Sequence, residues 1–406
     1  MTGTLPHILV IADEPIVRTL RGNSEALIRL LDRYPADLLT IAQTQGNLQR
    51  EELRLFCLGY YRWTVPWDRL FFTRLRGLAQ VAKIVTYKLS WHRFLGAARR
   101  LAPDAIVTLA QNNGWLLAAR LARELDVPLH IIVHDGPEHF QLTRPLIGPF
   151  MKKEFIAACQ QAHSRWSICA ELDAHLTEMT GVPGQVMLPL LAADDVIWPP
   201  ALETAARRDA IYFGGINSAS VLTLLQSVGD AMSSSGGNLR VFGGVSPSIQ
   251  SLPEWEKRSF DFAGSFADRN SFLADCRLKA AFLFLPFPFG ETDMDFSFPS
   301  KLVDYTLAGL PIVVQAPAAS PIGKWCIANP GAVEFVDSPD AGAMVRAVQR
   351  ILASAEHRQS LSIAALAAGA RDFAHEPNWQ AFQAALCASG ASKQRERPKI
   401  GPKTAL

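Results

Sequence analysis

Pro299-Ser300-Lys301-Leu302-Val303-Asp304-Tyr305 holds the side chains best spaced for chemistry, and the chemistry it suits is holding an anion. Proline near the first helical turn and a serine able to cap free amides mark a helix start at Pro299-Ser300. A Lys301 ammonium, a hydroxyl and helix amides gathered at one point favour a phosphate. Asp304 follows one turn on, at the spacing a carboxylate needs to reach a ribose beside that phosphate. Together these groups fit a nucleotide diphosphate. Gly309 reads as the left-handed stop of the helix, Pro311 prevents its continuation, and Ile312-Val313-Val314 opens a buried strand.

Further polar residues stand at the ends of apolar runs. Ile211-Tyr212-Phe213-Gly214-Gly215-Ile216-Asn217-Ser218 reads as a strand, two glycines and a helix capped by Asn217 or Ser218. Glycine there lets the backbone approach a ligand, and the helix start adds affinity for an anion. Ile131-Ile132-Val133 runs into His134-Asp135. A histidine at that place donates to a hydroxyl or to developing charge, and Asp135 orients it or acts as a base. Phe262-Ala263-Gly264-Ser265-Phe266 precedes another helical pattern, and Gly22 with Asn23 offers amides before the first helix.

These residues need a frame that brings strand ends together. Strands are predicted over His7–Ala12, Leu38–Ala42, Ala105–Ala110, Pro128–Val133, Trp166–Ala170, Ala210–Phe213, Leu239–Gly243, Ala281–Leu285, Pro311–Gln315 and Val333–Val336. Helical patterns such as Ser24–Asp32, Gly114–Glu124, Ser218–Ser234 and Ala341–Ala353 separate them. Alternating β and α units imply parallel sheets, α/β in class, with ligands outside the carboxyl ends of the strands. The series restarts near Ala210. The expected division is a first domain over 1–190, a linker over 191–208, a second domain over 209–372, a returning helix over 373–390 and a disordered tail over 391–406.

With these residues laid out, the string from Pro299 to Val314 resembles the donor-nucleotide motif of GT-B glycosyltransferases, above all the retaining family four. The resemblance implies two Rossmann-like doubly wound domains facing across a cleft. It places Asp304 on the donor ribose and Ser300 with Lys301 on the diphosphate, with Gly214, Gly215 and Asn217 beside it. Ser265 and Phe266 fall in the loop whose backbone reads the base, and His134 with Asp135 at the position of catalysis. Gly22 and Asn23 fall in a loop toward acceptor or donor sugar. It further implies a UDP- or GDP-sugar as cosubstrate, no metal and no other cofactor, and a saccharide or lipid-linked acceptor in bacterial polysaccharide or glycolipid synthesis. Two departures stand out: no Arg or Lys occurs within Asn217–Gln226, and Phe296 occupies a usual acid's place. They motivate an alternative, a non-catalytic partner subunit. Another is a sugar-nucleotide epimerase on the same fold.

Composition narrows the partners. A net charge of +2 over 406 residues speaks against a general nucleic-acid binder. The six cysteines have no metal-ligand or paired spacing and read as reduced thiols. No uncharged apolar run reaches the roughly 18–20 residues of a spanning helix, and the N-terminus lacks the form of a secretory signal, so a cytoplasmic protein is expected. Between residues 60 and 101, nine Lys and Arg face the single acid Asp68, interleaved with Tyr60, Trp63, Trp67, Tyr87, Trp91 and Phe94. Basic charge with aromatics suits a peripheral contact with an anionic membrane surface.

Overall fold

A computed structural model describes residues 4–13, 16, 22–45, 57–63, 70, 75–136, 147–192, 195–201, 208–266 and 269–390. The expected tail over 391–406, and Trp67, Asp68, Arg69 and Arg74 of the basic stretch, lie outside these residues. Two compact units make up the chain: Met1–Ala193 with His375–Leu406, and Asp194–Ala374.

The first unit carries strands β1 (Ile8–Ala12), β2 (Leu39–Gln43), β3 (Gly59–Arg62), β4 (Ala105–Leu109), β5 (Leu129–Val133), β6 (Ser164–Ser167) and β7 (Gln185–Val186). They form one sheet in the order β3-β2-β1-β4-β5-β6-β7. Every pairing is parallel, with Ile8 opposite Leu39 on one side and Ala105 on the other. Strands β1, β2, β4 and β5 are buried along their whole length, as a sheet covered on both faces requires. The helices are α1 (Gly22–Leu31), α2 (Arg76–Leu89), α3 (Trp91–Leu101), α4 (Gly114–Leu125), α5 (Gly148–Gln161) and α6 (Ala170–Thr180).

The second unit repeats the order. Strands β8 (Asp209–Phe213), β9 (Leu239–Phe242), β10 (Asp261–Gly264), β11 (Ala280–Pro286), β12 (Ile312–Gln315) and β13 (Glu334–Val336) lie as β10-β9-β8-β11-β12-β13, all parallel. Its longer helices are α7 (Ala219–Ser234), α8 (Arg269–Lys279), α9 (Lys301–Leu307), α10 (Pro321–Ala328), α11 (Ala341–Ala353) and α12 (Ala355–Asp372). Both units are thus doubly wound α/β sheets with a reversal of strand order beside the first strand. A last helix, α13 (His375–Gly390), belongs to the first unit. Trp379, Phe382 and Leu386 enter that unit's core, where Phe382 meets Trp166. His130 on β5 hydrogen-bonds Ser164 at 2.8 Å and Ser389 of α13 at 3.1 Å.

Four expectations need correction. The strand placed at Trp166–Ala170 lies instead at Ser164–Ser167, because Ala170 already begins α6, whose first turn holds Glu171 and Asp173. Strands β3, β7 and β10 had no prediction; they are short, and β3, β7 and β10 are the sheet edges, where a strand needs few apolar residues. Trp63, Tyr87, Trp91 and Phe94 of the basic stretch are buried core residues, with Phe94 packed on both Trp63 and Tyr87. They therefore form no aromatic belt at the surface. Finally, Ser300 does not cap its helix, for reasons given below.

Candidate functional site

Strand order sets where a ligand can sit. In the second sheet β8 and β11 are neighbours, and the connections after them leave in opposite directions, which opens a crevice beyond their carboxyl ends. Gly214 follows β8 directly, and α9 follows β11. Backbone bonds lace the loops around this point. Gly214 N–H donates to Phe242 O at 2.8 Å, Ile216 N–H to Gly244 O at 2.9 Å, and Gly243 N–H to Gly264 O at 2.7 Å. Ser218 caps α7 by accepting from Val221 N–H. The exposed Asn217 lies beside Gly215 and is not the cap.

Helix α9 is seven residues long. Ser300 sits already in helical backbone, with φ −57 and ψ −24, and its side chain makes no capping bond. A capping hydroxyl needs an extended backbone at its own residue. The amides of Leu302 and Val303 donate instead to the carbonyls of Pro299 and Ser300, at 3.0 and 3.2 Å. So short a helix with a closed first turn offers an anion little from its backbone, and the positive charge comes from Lys301.

Lys301 and Tyr305 share one face of α9 and both reach β8. The Lys301 ammonium donates to Tyr212 Oη at 2.9 Å and lies 4.9 Å from the centre of that ring. Tyr212 Oη donates onward to Gly215 O at 2.8 Å. Tyr305 Oη accepts from Phe213 N–H at 3.2 Å and donates to Phe284 O at 3.0 Å. Burial holds the Tyr305 hydroxyl well above its ordinary range, so it keeps the proton it donates. Glycine suits position 214 because its backbone lies at φ 152, and a β-carbon there would displace the Lys301 ammonium. Among the described residues, no carboxylate pairs with Lys301, and the Gly215 amide makes no hydrogen bond. A half-buried cation and a backbone donor thus stand together at the switch point.

The far end of α9 is equally fixed. Gly309 adopts φ 62, the left-handed stop. Arg277 donates to Ala308 O at 2.6 Å and to Pro199 O at 2.7 Å. Part of the segment expected as a linker is anchored here, since Trp198 N–H bonds Leu307 O and Ala201 N–H bonds Gly309 O. Asp304 is buried within α9, at 8% exposure. Ser265 is exposed at the end of β10. Phe266 stacks on Phe272 at 4.0 Å and meets the edge of Phe213. Its ring therefore holds the Ser265 backbone in place and is itself spent on packing. Thr292–Phe296 forms a 3-10 turn with Asp295 exposed and Phe296 half-buried.

The first unit treats the equivalent place differently. Asp13 follows β1 as Gly214 follows β8, and its carboxylate fills the switch point. Asp13 Oδ2 accepts from the amides of Gly114 at 2.7 Å and Asn113 at 3.1 Å, at the start of α4. Asp13 Oδ1 accepts from Thr44 Oγ1 at 2.7 Å and from the Lys83 ammonium at 3.2 Å. The side chains of Asp13 and Lys83 are wholly buried. A carboxylate of the chain itself thus takes the position an external anion would need.

His134 and Asp135 stand after β5 in this same unit, whereas Gly214, Lys301 and Asp304 belong to the second. His134 is 8% exposed. Burial holds its imidazole below the ordinary range, against the pull of Asp135, so it is neutral near pH 7. Gly22 and Asn23 are the first two residues of α1, and the Asn23 side chain lies outside the described residues. Among the described residues, no group of three or more His, Cys, Asp or Glu is placed to hold a metal. Tyr212 and Asp13 escaped sequence reasoning; Tyr212 looked like one more strand aromatic, and Asp13 gains meaning only from partners far along the chain.

No protein-family model and no curated protein sequence matches the chain. Its fold does match solved structures. The Anabaena HepE protein in complex with UDP-glucose is similar with a TM-score of 0.67 at 14% identity, over 94% of this chain and 99% of the other. Sucrose-phosphate synthase from Thermosynechococcus elongatus gives 0.64 at 14% identity, over 94% and 100%. The trehalose 6-phosphate synthase of Burkholderia multivorans gives 0.63 at 13% identity, over 98% and 100%. These are GT-B glycosyltransferase structures, and this chain has the two parallel α/β sheets of that fold.

Proposed function

We propose that this chain is a glycosyltransferase that takes its sugar from a nucleotide diphosphate sugar. The observation carrying the reading is the charge at the β8 switch point: among the described residues, Lys301 and the Gly215 amide stand there with no carboxylate, where the first unit buries Asp13. The likeness to HepE, a protein seen with UDP and UDP-glucose, supports a UDP-sugar as donor. Lys301 and Ser300 hold the diphosphate, beside Gly214, Gly215 and Asn217. Asp304 holds the ribose, and the backbone at Ser265-Phe266 reads the base. As the glycosidic bond to the diphosphate breaks, Lys301 and the glycine amide balance the leaving charge. Neutral His134, oriented by Asp135, donates a hydrogen bond to the sugar being transferred.

The finer parts of the reading rest on the sequence resemblance. They are hexosyl transfer with retention of anomeric configuration, to a saccharide or lipid-linked acceptor held by the first unit near Gly22 and Asn23. The setting is bacterial polysaccharide or glycolipid synthesis, in the cytoplasm against the inner face of the plasma membrane. No helix among the described residues is long and apolar enough to cross a membrane. Phe296 favours a second reading, a non-catalytic partner subunit. Calorimetric titration with UDP and GDP, followed by a screen for nucleotide diphosphate release from sugar donors, separates the cases. Binding with release supports the transferase, conversion of a UDP-sugar incubated alone supports the epimerase, and no binding removes both enzymes and leaves the non-catalytic subunit.

A further inference from the structure

Helix α2 has two apolar faces. Gln80, Lys83, Ile84 and Tyr87 turn inward and are buried. On the opposite side Leu78, Val81, Val85 and Leu89 are 49%, 36%, 45% and 79% exposed. At 100° per residue these four fall within one sector, continued by Leu75, which is 48% exposed. A stripe of that length on a water-exposed surface needs a partner.

Beside it, helices α2, α3, α4 and α5 enclose a cavity of about 130 Å³. Ile84, Tyr87, Trp91, Trp115, Leu117 and Phe150 are among its walls. For scale, an apolar cavity of ~150 Å³ holds one benzene. Cations flank the opening: the Lys88 ammonium lies 4.5 Å from the Phe150 ring centre, and the Arg120 guanidinium 4.0 Å from that of Trp91. Arg123 lines the cavity too, and Glu154 is the single acid among the described lining residues. Ile84 and Lys88 lie on α2 between its buried face and the exposed stripe, so the cavity borders the stripe. Apolar walls under a cationic rim match a chain that ends in an anionic headgroup.

We propose that this face is a lipid site: α2 lies in the interface of an acidic phospholipid bilayer, and the cavity seats the headgroup-proximal carbons of one acyl chain whose phosphate meets Lys88, Arg120 and Arg123. The inference rests on the membrane contact of the function proposed above, and it moves that contact from the aromatics to α2. It stands apart from sugar transfer, so donor binding serves as the control for folding.

The test uses phosphatidylglycerol vesicles whose acyl chains carry bromine, a quencher of tryptophan emission, on the full chain. The expected result is sedimentation with the vesicles and quenching that is mostly lost in the Trp91→Phe/Trp115→Phe variant. Val85→Glu/Leu89→Glu on the exposed stripe should lower vesicle affinity by about tenfold or more. Lys88→Glu/Arg120→Glu should do the same, with less effect at high salt. Ala158→Leu, which fills the cavity, should keep sedimentation and lose quenching. Sedimentation with quenching indifferent to Trp91 and Trp115 overturns the cavity while leaving the membrane contact. Absence of sedimentation with UDP binding intact overturns the membrane contact and this site together.

Discussion

The two sheets of this protein share one strand order and differ in what stands at its reversal. After β1 the chain places Asp13, and four donors close on it: the amides of Asn113 and Gly114 at the start of α4, the Thr44 hydroxyl and the Lys83 ammonium. After β8 it places Gly214, and the room left is taken by a lysine from α9 that has no carboxylate partner among the described residues. A topology that creates an anion site at every switch point is thus neutralised internally in one unit and left positive in the other. The lesson is that the fold supplies the place, and one residue after the first strand decides whether a ligand can use it.

Several changes press on that difference. The largest effect is expected from Asp13→Ala, which takes away the carboxylate that the buried Lys83 ammonium faces. It should cost about 3–5 kcal/mol in urea unfolding, and Asp13→Leu/Lys83→Met should recover most of the loss. A double variant as unstable as the single one would mean that the pair is not what Asp13 serves.

Acid should act on the first unit. His130 is held down to about 3 by burial, with His163 adding to it, and burial also lowers His134 and His375. The unfolded chain then binds more protons than the folded one below the ordinary value of 6.5. Stability is therefore full above that pH and falls as the pH drops toward 3, with His130 alone contributing about 4 kcal/mol by the end. Chemical denaturation against pH should show this slope, and His130→Gln should flatten it.

In the second unit, effects should appear in binding more than in folding. Asp304→Ala should weaken UDP by about 1–3 kcal/mol if its carboxylate holds the ribose. Lys301→Met should weaken UDP by about 1.5–3 kcal/mol while changing stability by less than about 1 kcal/mol, since the side chain is half-exposed. Equal UDP affinity in Lys301→Met would remove the distinction between the units. The smallest effect belongs to Gly331→Ala, about 1 kcal/mol in stability, from the left-handed backbone at that residue, where the added methyl meets nothing within 4 Å.

Much of this was open to sequence reasoning. Buried strands announce themselves as runs such as Ile8–Ala12 and Ala280–Pro286, and Gly214-Gly215 after Phe213 marks a strand end that something must approach. Gly309 declared the stop of α9 because no other residue type takes that backbone cheaply. What stayed hidden depends on contacts across the chain. Asp13 and Lys83 are separated by 70 positions and meet only because β1 lies at the reversal. Tyr212 becomes a tether only when α9 brings Lys301 to it. The aromatics near Lys83 looked like a surface belt, because their composition does not tell which face of α2 and α3 turns inward. Ser300 looked like a cap, because the side chain is right and only the backbone angle is not.

The central claim is that the residue after β8 keeps an anion site open. Its direct measurement is calorimetric titration of UDP into the protein and into Gly214→Asp, which gives the second unit the first unit's residue. The account predicts saturable UDP binding by the protein, and none by the variant, which keeps its fold by circular dichroism at a melting temperature lowered by the strained backbone at 214. Equal UDP affinity in the two, or no binding by the protein itself, would contradict it.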